Sequence, residues 1–122
     1  MNQILMARGA DKVVSTCVKV QPQEEVLIVT EASKMEIAKA IAAAVYRVGA
    51  EPILMVMVPR ESDSQEPPKT IADAMRASDA FISVVGKSIT HTHAVRDAID
   101  NGSRGVVLTQ FTEEMLMHGG IE

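Results

Sequence analysis

The stretch Asp79-Ala80-Phe81-Ile82-Ser83-Val84-Val85-Gly86-Lys87-Ser88-Ile89-Thr90-His91-Thr92-His93-Ala94-Val95-Arg96 decides the fold. Its first seven residues carry an almost unbroken apolar run with β-branched side chains, the pattern of a strand covered on both faces. A polar, basic loop follows, and a helix is predicted from about Thr90 to Asn101, with Gly102 as its stop. A buried strand that turns through a polar loop into a helix is one half of a β-α-β unit. In open α/β sheets ligands sit at such carboxyl ends, where helix N-termini present unpaired N–H groups.

The same alternation extends in both directions. Residues 3–20 predict a helix with Met6, Ala10, Val13, Val14, Cys17 and Val18 on one stripe. Cys17 then reads as a small core residue among valines. Val26-Leu27-Ile28-Val29 is a short buried strand. Residues 34–48 form a periodic helix with Ile37, Ala38, Ile41, Val45 and Val48 inward and Gly49 as its stop. Ile53-Leu54-Met55-Val56-Met57-Val58 shows no polar alternation and predicts a second strand covered on both faces. After the polar segment Pro59 to Glu66, Pro67-Pro68 opens a helix with Ile71, Ala72 and Met75 inside. Gly105 to Thr109 is a fourth strand. Thr112-Glu113-Glu114 begins a last helix, with Gly119-Gly120 as its end. The predicted architecture is a three-layer, Rossmann-like α/β domain over residues 1–122: a four-stranded, mostly parallel sheet with helices on both faces.

Composition narrows the function. A net charge of −4 argues against a large basic nucleic-acid footprint. One Tyr, two Phe and no Trp leave few platforms for stacking single-stranded bases. No apolar run approaches a membrane span, and residues 1–8 lack the pattern of a secretory signal. A single cysteine excludes an intramolecular disulfide and fits a reducing, cytoplasmic setting.

Two nucleotide motifs fail on inspection. Gly86-Lys87-Ser88 matches the end of a P-loop, but Phe81 stands where the motif needs its first glycine. Thr30-Glu31-Ala32-Ser33-Lys34 after the first strand holds no glycine, so the dinucleotide fingerprint is absent. His91 and His93 on a helix would sit about 200° apart and could not share a metal. His91 would share a face with Ala94, Val95 and Ala98 and lean toward core or cleft; His93 falls on the charged face of Arg96, Asp97 and Asp100. Ser88, Thr90 and Thr92 are natural helix caps. Arg96 stands early in its helix, against the dipole preference, which a nearby anion would offset. The long 59–68 segment projects from the same sheet edge, with Arg60 and Glu66 as its candidates.

Taken in order, several segments resemble one family. They are Gly9-Ala10-Asp11-Lys12-Val13-Val14, Val26-Leu27-Ile28-Val29-Thr30, Val48-Gly49-Ala50-Glu51, Pro59-Arg60-Glu61, Gln65-Glu66-Pro67-Pro68, Thr90-His91-Thr92 with Arg96, and Thr112-Glu113-Glu114-Met115-Leu116. Together they resemble the N-terminal domain of the aminopeptidase T type of leucyl aminopeptidase, a metallopeptidase family. His93 departs from the pattern, which often has a basic residue there. The resemblance implies an accessory domain of a longer enzyme; separately, the two edges of a four-stranded sheet predict a homo-oligomer. Its divalent metal (zinc, cobalt or manganese) would be held by a C-terminal domain, and no metal ligand is carried onto this chain. It also implies a peptide or small carboxylate substrate. His91, Thr92 and Thr90 would hydrogen-bond that substrate, Arg60 and Arg96 would pair with its carboxylate, and Glu66 would lie beside them. Related chains include ring-cleaving iron dioxygenases acting on dihydroxypyridines. A small-anion module using the N-terminus of the helix after Thr90 is the other reading.

Overall fold

The computed structural model describes residues 1–118. Helix α1 (Asn2–Lys12) continues into a wide π-helical turn, Val13–Cys17. Then follow β1 (Glu25–Thr30), a short 3₁₀ turn (Ala32–Lys34), α2 (Met35–Arg47), β2 (Glu51–Val56), α3 (Lys69–Ala77), β3 (Ala80–Val85), α4 (His93–Asp100), β4 (Arg104–Thr109) and α5 (Glu113–Met117). The four strands form one parallel sheet in the order β2-β1-β3-β4. The predicted Gly119-Gly120 stop lies outside the described residues.

Each sheet face has its own core, as the two-residue strand period requires. Val26 and Ile28 of β1 and Ala80, Ile82 and Val84 of β3 pack with α1, α2 and α5. Leu27 and Val29, with Phe81 and Val85, pack with α3 and α4. The first crossover moves from β1 to β2 over one face; the next returns past β1 to β3 over the other. A common handedness for both crossovers demands opposite faces, because they run in opposite directions across the sheet. Phe81 lies beside Gly105 of β4 in register. A Cβ on Gly105 would stand 2.1 Å from the Phe81 ring, so the ring fills the space a β4 side chain would take. Gly49 ends α2 at φ +89°, a conformation side chains oppose.

Two expectations are corrected. Cys17 is exposed. The amide of Val18 donates to the carbonyl of Val13, five residues back, at 3.0 Å. That wide turn holds one residue more than an α-turn, so Val18 takes the inward position and Cys17 is rotated out. Strand β2 is not covered on both faces. It lies at the sheet edge, and Ile53, Leu54, Val56 and Val58 are exposed. Among the described residues no helix is long and apolar enough to cross a membrane.

Candidate functional site

The carboxyl edge of the sheet gathers the 31–34, 57–68 and 86–92 segments. Strands β1 and β3 are neighbours, and their outgoing chains leave over opposite faces. This is the topological switch point, where α/β folds open a crevice. Glu31 fills it. Its side chain is nearly buried, with 6% of the residue exposed. Oε1 accepts the amide of Gly86 at 3.0 Å and Oε2 accepts the hydroxyl of Ser33 at 3.1 Å. Sequence reasoning passed over Glu31. The available signal was a lone acid directly after a buried strand, two residues before a hydroxyl.

The 57–68 segment is sewn to the 86–92 loop. The amide of Ser88 donates to Asp63 Oδ1 at 2.9 Å, and the amide of Ser64 donates to the carbonyl of Ser88 at 2.8 Å. Glu66 reaches further. Its carboxylate accepts the amides of His93 at 2.7 Å and Ala94 at 3.1 Å, the first two residues of α4. An internal anion therefore sits where a helix N-terminus would receive an external one. Arg60 turns back on its own segment: Nη2 donates to the carbonyl of Val58 at 3.0 Å and Nη1 to that of Glu66 at 3.2 Å.

Thr92 is the N-cap of α4. Its hydroxyl donates to the carbonyl of Ile89 at 2.6 Å and accepts the amide of Val95 at 3.3 Å. Only 1% of the residue is exposed, so the cap is built into the fold. The helix thus begins three residues later than the sequence suggested, at His93. His91 lies in the turn before it, exposed, and does not join Ala94, Val95 and Ala98 on the buried face. His93 and Arg96 are exposed, as the charged-face reading has it, with Arg96 Nη1 3.5 Å from His93 Nδ1. Thr90 pairs its hydroxyl with that of Ser88 at 2.9 Å. The structure therefore brings Glu66, Thr92, His93 and the Ser88–Thr90 pair together at one helix start. Arg60 joins them through Glu66, and His91 is left facing solvent beside them.

Chemically, this edge offers hydroxyls and an imidazole around amides that internal carboxylates already hold. An incoming anion would have to displace Glu66 from the amides of α4. Among the described residues, no three His, Cys, Asp or Glu side chains gather to hold a metal ion.

Neither a family model nor a curated protein matches the chain in sequence. Solved structures do match its fold. A 2,5-dihydroxypyridine dioxygenase from Pseudomonas putida KT2440 superposes with a TM-score of 0.70 at 13% identity, over 94% of this chain and 36% of its own. AmpT from Thermus thermophilus gives 0.56 at 13% identity, over 97% of this chain and 42% of its own. A fatty acid ABC transporter substrate-binding protein from Thermomonospora curvata gives 0.59 at 14% identity, over 89% and 28%. The chain thus spans less than half the length of each of these proteins. At such identities the likeness is one of fold.

Proposed function

We propose that this chain is the N-terminal, substrate-positioning domain of a metal-dependent aminopeptidase of the aminopeptidase T type, and that it does not hydrolyse peptides alone. The observation that carries the reading is one of extent: nearly the whole chain superposes on 42% of AmpT, leaving more than half of that enzyme unaccounted for. The described residues do not themselves fit a metal centre. The divalent ion, zinc, cobalt or manganese, would therefore be held by the remainder of the enzyme. This domain would supply one wall of the cleft. His91, Thr90 and Arg96 are its exposed polar groups near the start of α4 and would meet a peptide or small carboxylate. Thr92, Glu66 and Arg60 would hold that wall in shape. A cytoplasmic setting accords with the single cysteine, and a homo-oligomer with the open edges of a four-stranded sheet.

The purified chain should release no amine from leucine amides, with or without added zinc, cobalt or manganese. Chelator-sensitive hydrolysis by the chain alone would overturn the proposal. A second reading, the equivalent domain of a ring-cleaving iron dioxygenase, draws on the higher TM-score of the Pseudomonas enzyme. Coding sequence downstream of this region, where present, separates the two. Ligands for a pair of metals support the peptidase, and two histidines with one carboxylate support non-haem iron.

A further inference from the structure

Among the described residues, strand β2 has a neighbour on one side only. The amide of Glu51 donates to Glu24 at 2.8 Å and that of Met57 to Thr30 at 2.9 Å, so odd-numbered residues turn their main-chain groups toward β1. Strand alternation then turns those of Pro52, Leu54, Val56 and Val58 outward. Leu54 is 37% exposed, Val56 52% and Val58 73%. A groove of about 500 Å³ runs along this edge, between residues 54–58 and the start of α3 at Pro68, Thr70 and Ile71. Edge strands are usually blunted by lysine, a bulge or an inward charge. No charged residue lies between Pro52 and Pro59.

We propose that β2 pairs antiparallel with β2 of a second copy of this chain, across a two-fold axis through Met55, to make one eight-stranded sheet. In that register Leu54 lies opposite Val56 of the second copy, and Pro52 lies opposite Val58. Pro52 has no N–H, so the carbonyl of Val58 opposite it receives no donor across the interface. That carbonyl is already satisfied within its own chain, by Arg60 Nε at 3.3 Å and Nη2 at 3.0 Å. The missing donor and the satisfied acceptor thus fall at one position. Sliding one copy by two residues loses this match. In one direction Pro52 faces Val56, whose carbonyl then lacks a donor; in the other the amide of Leu54 meets the carbonyl that Arg60 holds. Charge agrees with the choice. Antiparallel pairing sets Glu51 of one copy near Arg60 of the other, a local pair of opposite charge ahead of the acidic residues Glu61 and Asp63.

Sedimentation of the full chain tests this. The wild type should show concentration-dependent dimers, and Val56→Lys should weaken self-association by at least about tenfold with an unchanged circular dichroism spectrum. Register is read by crosslinking. In a Cys17→Ser background, Met55→Cys should form an intermolecular disulfide under mild oxidation, since the facing Met55 residues form a non-hydrogen-bonded pair with Cα atoms about 4.5 Å apart. A wild type that stays monomeric at its highest attainable concentration overturns the proposal. So does a dimer that persists in folded Val56→Lys, or one that Met55→Cys fails to crosslink. If Val56→Lys does not fold, the crosslink decides. A monomer here removes the homo-oligomer from the peptidase reading and leaves its cleft wall standing, because the residues of that wall lie outside β2.

Discussion

Ser83 sits at the centre of β3 with its hydroxyl fully buried and without a hydrogen-bond partner among the described residues. Its strand neighbours in register are Val29 and Val107, and Phe81 and Val85 flank it on the same face. A hydroxyl in such an apolar layer has lost its water and gained nothing in return. Ser83→Ala removes the unsatisfied group at almost no change in volume. The variant should be neutral or more stable, by up to about 1 kcal/mol, with a matching rise in thermal midpoint. A loss of more than about 1 kcal/mol would show that the hydroxyl has a partner after all. Phe81, two residues away, has the opposite character: it is wholly apolar and has a space reserved for it in the next strand.

At the scale of elements, α4 depends on a residue far from it in sequence. Glu66 holds two of its first amides from across a loop and Thr92 holds a third. Glu66→Ala should cost about 1 kcal/mol and speed hydrogen exchange at His93 and Ala94. It should also open the helix start to added phosphate: amide shifts at residues 93–94 are expected in the variant and not in the wild type. Shifts of equal size in both would mean that Glu66 does not occupy the site. The five helices and four strands were legible because apolar runs and helical stripes report burial directly. A cap for α4 was legible as one of Ser88, Thr90 and Thr92, because caps act within a few residues, but which of them it is was not. The role of Glu66 was not, since nothing local ties it to an amide 27 residues away. The exposure of β2 was hidden for a related reason. An apolar run shows that a strand is hydrophobic, but its place in the sheet depends on which way each crossover turns. Cys17 was misplaced by a single wide turn, which leaves the stripe intact up to Val14.

For the molecule as a whole, the end of the sheet opposite the candidate site is clamped by charge. Arg104, at the start of β4, donates to Glu24, ahead of β1, through Nη1 at 3.0 Å and through Nη2. It also donates to the carbonyl of Val18 at 3.1 Å, tying the end of the first helical segment to the far edge strand. The guanidinium hydrogen bond holds the Glu24 carboxyl below its ordinary value, against the opposing effect of partial burial. The stabilisation is therefore complete above the unfolded-state value, near pH 4 to 5, and is lost as pH falls through the lower folded-state value. Glu24→Gln should lower stability at pH 7 by at most about 1 kcal/mol, because the arginine is largely hydrated. The difference from wild type should shrink toward zero below about pH 4, as read by urea midpoints across that range. A difference that stays constant with pH would remove the charge from the explanation. The space shared by Phe81 and Gly105 has a consequence for how such chains can diverge. The aromatic ring and the bare α-carbon belong to different strands yet make up one volume, so position 105 cannot gain a side chain while the ring stays. A descendant that gains a side chain at 105 must first, or at the same step, give up the ring at 81. In any lineage that keeps the fold, a side chain at 105 should be found only without the ring at 81.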